Sequence, residues 1–207
     1  MNYIVYNHNF CESRLQGLKP PELLNAYSSF FISLIPVILG IPNNKQNFKN
    51  VSYLLILNGF CSFYFHYSLS WFGKHLDEVT MILSNYFGIC ELLNINYLQN
   101  SENLKIINLI FMSIFISFNT LPQYDFLFPY IFGFYALITV CLIKKASKLC
   151  NLTKTTNAYL LYSLFGAIAW IISENICSET TKYGHVFWHI MFPFGFYRIL
   201  ILYDNIF

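Results

Sequence analysis

The stretch SFYFHYSLSWFGKHLDEV, residues 62 to 79, sets a hydroxyl, an imidazole and a carboxylate (Ser62, His66 and Asp77) into an otherwise apolar run. Ser62 and His66 are spaced i, i+4 and share one face of a helix, and His185 and His189 in GHVFWH do the same. If the two segments meet at equal depth, three imidazoles converge. Three His ligands with one open coordination position describe a catalytic zinc site, and neutral imidazole is a common ligand for that ion. Each piece also has a plainer reading. An H-x3-H pair in a spanning helix often only packs, and His66 alone is a hydrogen-bonded structural residue. Ser62 alone eases helix contact or bonds its own backbone, and Asp77 alone caps a helix. The combination favours chemistry, because three of only five His fall at one expected depth beside one carboxylate. Ionisable groups inside a bilayer cost about 2.5–3.5 kcal/mol each on insertion scales and usually mark function.

The elements that must position these residues are membrane helices. Of 207 residues, 56% are hydrophobic and 11% charged, outside the usual mix of a soluble domain. A net charge of +2, scattered along the chain, does not suit nucleic-acid binding. The N-terminus lacks a basic region followed by an apolar core, so no cleaved signal peptide is expected. Seven apolar stretches, at about 24–41, 51–72, 78–98, 104–121, 126–146, 156–176 and 185–203, are each long enough to cross the ~30 Å hydrocarbon layer. The expectation is one all-α domain of seven transmembrane helices, spanning 1–207, with residues 1–23 as a lumenal segment. Eight of the twelve Lys and Arg fall on one side (Lys45, Lys49, Lys105, Lys144, Lys145, Lys148, Lys154, Arg198), and Arg14, Lys19, Lys74 and Lys182 fall on the other. Basic loops stay cytoplasmic, which puts the N-terminus in the lumen or outside and the C-terminus in the cytoplasm. The sequons at Asn50 and Asn151 are then cytoplasmic and unglycosylated. In this arrangement Ser62, His66, Asp77, His185 and His189 gather at the lumenal helix ends. Glu91 reads as a paired structural carboxylate, His75 as a cap or water-facing residue, His8 as part of a mobile terminus, and Arg198 as an interfacial anchor.

SFYFH, then DEVTM with its Asp eleven residues after the His, then GHVFWHI, resembles the alkaline ceramidases. These belong to a wider superfamily of seven-helix membrane hydrolases that includes the progestin and adipoQ receptors. NFCESR and ELLNAYS near the N-terminus and AWIISENIC late in the sixth span favour the ceramidase branch. The resemblance implies zinc held by His66, His185 and His189, Asp77 taking a proton from the zinc-bound water, and Ser62 where the oxyanion develops. Those roles suit the attack of an activated water on an unreactive amide. The implied substrate is ceramide, cleaved to a sphingoid base and a fatty acid, in the endoplasmic reticulum or Golgi membrane. The bilayer and its lipids are the expected partners, with no obligatory protein partner. Two other classes stay open: a seven-helix lipid receptor with structural zinc, and a zinc hydrolase of other lipid esters or amides.

The family's N-terminal calcium site corresponds here to Asn9, the Phe10 carbonyl, Glu12, Arg14 and Glu22. Arg14 stands at a ligand position, and a guanidinium carries only donors, so calcium dependence is expected to be weak or absent. Arg14 could instead bridge Glu12 and Glu22 in place of the ion, or be a solvated loop charge. The resemblance also implies a disulfide between Cys11 and Cys177, leaving Cys61, Cys90, Cys141 and Cys150 as free thiols. Thr80 stands where the family usually has proline, and the loop SETTKYG is short, so chain-length preference does not transfer.

Overall fold

A computed structural model describes residues 10–17, 19–97 and 101–207. It is 86% helix, with no strand among the described residues. A short α1 (Cys11–Leu15) precedes seven long helices: α2 (Leu23–Leu39), α3 (Gln46–Ser68), α4 (Trp71–Tyr97), α5 (Ser101–Asn119), α6 (Phe128–Leu149), α7 (Thr153–Asn175) and α8 (Gly184–Asp204). Short 3₁₀ turns at Pro122–Leu127 and Thr181–Tyr183 lead into α6 and α8. Four segments, Ser101–Asn119, Pro122–Leu149, Thr153–Asn175 and Thr181–Asp204, are long and apolar enough to cross a membrane. α3 and α4 are less apolar because they carry Ser62, His66, Lys74, Asp77 and Glu78, all of them buried.

Polarity is inverted relative to a water-soluble bundle. Val37, Ile38, Ile107, Tyr130 and Leu161 face outward, each more than 60% exposed, while Ser29, Ser52, Asn58, Ser62 and Ser173 are buried. Such a surface suits lipid and marks a membrane protein. α8 packs along α7 and α2, α3 packs along α2 and α4, and α4 continues the layer to α5 and α6. Small residues allow the α7–α8 contact: a Cβ on Gly195 would sit 2.8 Å from the Ser163 backbone nitrogen, and one on Gly184 would sit 2.7 Å from the Ser173 Cβ. Within α8, Pro193 lacks the N–H that would bond the His189 carbonyl.

The joint between the second and third long helices is tighter than expected. Only Leu69 and Ser70 separate α3 from α4, with Leu69 in the left-handed region at φ 46°. α4 therefore begins at Trp71, seven residues before the expected start at 78, and Lys74, His75 and Asp77 are helical. Lys74, expected among the loop charges, is 2% exposed inside the bundle. Its cost is met by Glu78 and Asp125, which flank it. At the opposite end of the bundle the Asp204 carboxylate accepts the N–H groups of Asn43, Asn44 and Lys45, which joins the end of α8 to the start of α3.

Candidate metal centre and its cavity

α3 contributes His66 from its last turn, and α8 contributes His185 and His189 from successive turns of its first half. The ring centroids lie 5.0 Å (His66–His185), 5.3 Å (His66–His189) and 4.6 Å (His185–His189) apart. One nitrogen from each ring lies within 4.8 Å of the others, and all three residues are buried, so the group could hold a metal ion.

The outer nitrogens explain the aim of the inner ones. His66 Nδ1 lies 2.6 Å from Glu22 Oε2, and the Glu22 backbone N–H bonds the His66 carbonyl at 2.9 Å. Since a carboxylate accepts, Nδ1 donates and Nε2 keeps its lone pair. His189 Nδ1 lies 2.8 Å from Ser28 Oγ, whose own hydrogen goes to the Asn25 carbonyl at 3.0 Å. Nδ1 therefore donates here too, and again Nε2 is free. His185 Nδ1 is 3.7 Å from Glu174 Oε1, and neither atom has a hydrogen-bond partner among the described residues. This donor set, three buried imidazoles of which His66 and His189 have their second nitrogens held by a carboxylate and a hydroxyl, fits a borderline-soft divalent ion such as zinc.

Asp77 and Ser62 lie beside the imidazoles. Asn58 Nδ2 donates to Asp77 Oδ1 at 2.8 Å and to the Asp77 carbonyl at 3.0 Å, fixing the carboxylate. Asp77 is within hydrogen-bonding reach of Ser62 and lies near His185. Ser62 Oγ is also 3.0 Å from Ser29 Oγ. All five residues line one cavity of about 470 Å³ whose remaining walls include Phe48, Leu55, Met81, Phe132, Trp188 and Phe192. The same cavity reaches Tyr203, eighteen residues after His185 on α8, so it extends ~27 Å at 1.5 Å per residue. Its lining is mainly apolar, with the three imidazoles toward one end.

A family model for ceramidase matches residues 6–206. The chain belongs to the ceramidase family. No curated protein matches it. Membership supports a ceramidase-type amide hydrolase acting on a lipid such as ceramide. The disulfide that the resemblance to ceramidases implied is present between Cys11 and Cys177, and Cys61, Cys90, Cys141 and Cys150 are free.

The N-terminal residues do not form the Arg14 bridge considered above. Asn9 and His8 lie outside the described residues. Arg14 does not bridge Glu12 and Glu22. It donates to the Glu174 carbonyl at 2.7 Å and lies 3.4 Å from Glu174 Oε2. The reason is that both carboxylates are already engaged. Glu12 accepts the Leu24 and Asn25 backbone N–H groups at 2.8 and 2.9 Å, an anion on the N-terminus of α2. Glu22 accepts from Ser13, from Asn25 Nδ2 at 3.3 Å and from His66. Burial opposes the Glu22 charge, but the bonds from His66 and Ser13 outweigh it and hold the carboxyl below the usual carboxylate range. Phe10 is close to the cluster through its ring, 4.5 Å from His185 and 5.3 Å from His66 between centroids.

Of the other polar residues, Glu91 accepts from Asn47 at 2.8 Å. His75 Nδ1 lies 3.4 Å from Asn119 Nδ2, and Arg198 donates to the Tyr159 hydroxyl at 2.9 Å. Sequence reasoning missed Ser28 and Glu174, and it missed the pairing of Lys74 with Asp125. Only their residue types in apolar segments signalled them.

Proposed function

We propose that the chain is a zinc-dependent amidohydrolase that cleaves ceramide within the membrane to a sphingoid base and a fatty acid. The observation that carries this is the three-imidazole group with Asp77 and Ser62 at the polar end of a long apolar cavity, in a chain of the ceramidase family. The alkyl chains lie along the cavity and leave the amide beside the imidazoles. When held by His66, His185 and His189, zinc supplies Lewis acidity, lowering the pKa of a water toward ~7 and polarising a carbonyl. Asp77, held by Asn58, accepts the proton of the attacking water and returns it to the amine that leaves. Ser62 donates a hydrogen bond to the carbonyl oxygen as charge develops on it.

In this reading α2 to α8 are seven membrane spans, with the imidazoles toward the lumen and the C-terminus in the cytoplasm. The Cys11–Cys177 disulfide supports an oxidising compartment on the imidazole side, such as the endoplasmic reticulum or Golgi lumen. Weak calcium dependence remains part of the proposal, because the oxygens of Glu12 and Glu22 accept bonds from the chain's own donors.

The test is purified protein given ceramides, acyl esters and phospholipids, with products identified by mass and metal content measured alongside. Ceramide cleavage with stoichiometric zinc is expected. Asp77→Asn should lower turnover by at least about a hundredfold while the metal stays bound. Preferred ester or phospholipid cleavage would replace the amide substrate, and unchanged turnover in Asp77→Asn would remove Asp77 as the base. Binding of lipid without cleavage of any would favour the receptor class.

A further inference from the structure

A second ionic cluster lines the same cavity and takes no part in the chemistry described above. Lys74 is 2% exposed, with its ammonium 2.6 Å from Glu78 Oε2 and ion-paired with Asp125. The Trp71 and Phe128 rings lie 5.0 and 5.8 Å from the same nitrogen. An ammonium and two carboxylates inside an apolar bundle cost several kcal/mol each in desolvation, so stability alone is a weak reason to keep them. Lys74, Glu78 and Asp125 all line the cavity that holds His66, Asp77 and His189. Lys74 and Glu78 come from α4, one turn before Asp77 and one residue after it, whereas Asp125 comes from the 3₁₀ turn ahead of α6. Two separate elements thus bring one strong donor and two strong acceptors to the cavity wall next to the reacting groups.

We infer that Lys74, Glu78 and Asp125 recognise the hydroxyl-bearing headgroup of the lipid, and so determine specificity. This rests on the amidohydrolase reading above. In a ceramide the amide nitrogen is attached to a carbon whose neighbours on both sides carry hydroxyls. An amide placed between Asp77 and the imidazoles therefore brings two hydroxyls within about one helical turn of Asp77, the distance that separates it from Lys74. Lys74 donates to one hydroxyl oxygen, and Glu78 or Asp125 accepts a hydroxyl hydrogen. With two carboxylates to one ammonium, the wall favours neutral hydroxyls over a phosphate-bearing headgroup, the reverse of what a lone lysine would do.

The experiment compares ceramide with its 1-deoxy analogue, which lacks the terminal hydroxyl, in wild-type, Lys74→Met and Asp125→Asn proteins. Zinc content is measured for each to establish a folded site. Wild-type kcat/KM should favour ceramide by at least about tenfold, since a site built to bond a hydroxyl rejects the analogue lacking it. Both variants should lose activity on ceramide and little on the deoxy lipid, bringing the ratio to within about threefold. If Lys74→Met does not retain zinc, Asp125→Asn decides on the same ratio. A purely structural cluster would lower both substrates equally and leave the ratio unchanged, which overturns the inference while ceramide cleavage by the wild type keeps the hydrolase reading. A wild type that cleaves the two lipids equally also overturns it. A wild type that cleaves neither overturns the hydrolase reading and this inference with it.

Discussion

For a single imidazole, the partner of the outer nitrogen decides how firmly the inner one is aimed. The three rings are held unequally: a buried carboxylate at 2.6 Å for His66, a hydroxyl at 2.8 Å for His189, and a carboxylate at 3.7 Å for His185. Loss of such partners weakens metal binding by about 10–100-fold. Glu22→Ala should therefore lie at the upper end of that range, Ser28→Ala lower, and Glu174→Ala lowest, in zinc affinity measured by chelator competition. Equal losses in all three would mean that these contacts do not orient the rings. The three imidazoles of the cluster are legible in the sequence, because i, i+4 spacing fixes Ser62 with His66 and His185 with His189 on their helix faces whatever the tertiary structure. Their partners are not legible. Glu22 is 44 residues from His66 and Ser28 is 161 from His189, and no local period encodes either meeting. Arg14 shows the same limit, since its nearest carboxylates in sequence are occupied and its actual partner is 160 residues away.

Among the helices, the geometry of the imidazole group depends on how closely α8 approaches α7, since α8 carries two of its three rings. That approach has no room for a methyl group at Gly195, where an added Cβ would meet backbone 2.8 Å away. Gly195→Ala should cost about 1–3 kcal/mol through forced backbone shifts, read as a lower melting temperature in detergent. Gly133, in α6, has nothing within 4 Å of its Cβ position. Gly133→Ala should then be neutral or stabilising, because alanine is the better helix former by about 1 kcal/mol. Equal effects of the two substitutions would mean that close helix approach is not what Gly195 provides. Long apolar runs made the seven long helices legible, but not the start of α4. The α3–α4 corner is made by Leu69 in a left-handed conformation, with no Gly or Pro to signal it, so residues 73–77 read as a loop around Lys74.

Across the whole molecule, the N-terminal segment acts as a cover on the imidazole end of the bundle. Phe10 packs its ring on His185, Glu12 binds the start of α2, Arg14 binds the end of α7, and Cys11 is bonded to Cys177 just beyond α7. Three of these four attachments are noncovalent, so the disulfide sets how often the segment lifts. Removing a native disulfide typically costs about 2–5 kcal/mol, and here the loss should appear first as local opening over the metal group, before global unfolding. A Cys11→Ser, Cys177→Ser double variant should release its metal to a chelator at least about tenfold faster than wild type. A reductant should accelerate release from wild type to the same rate and leave the double variant unchanged. Equal rates in oxidised wild type and the variant would show that Glu12 and Arg14 alone keep the segment seated. The cover that α1 provides would then be held by its side-chain contacts to α2 and α7, with no need of the disulfide.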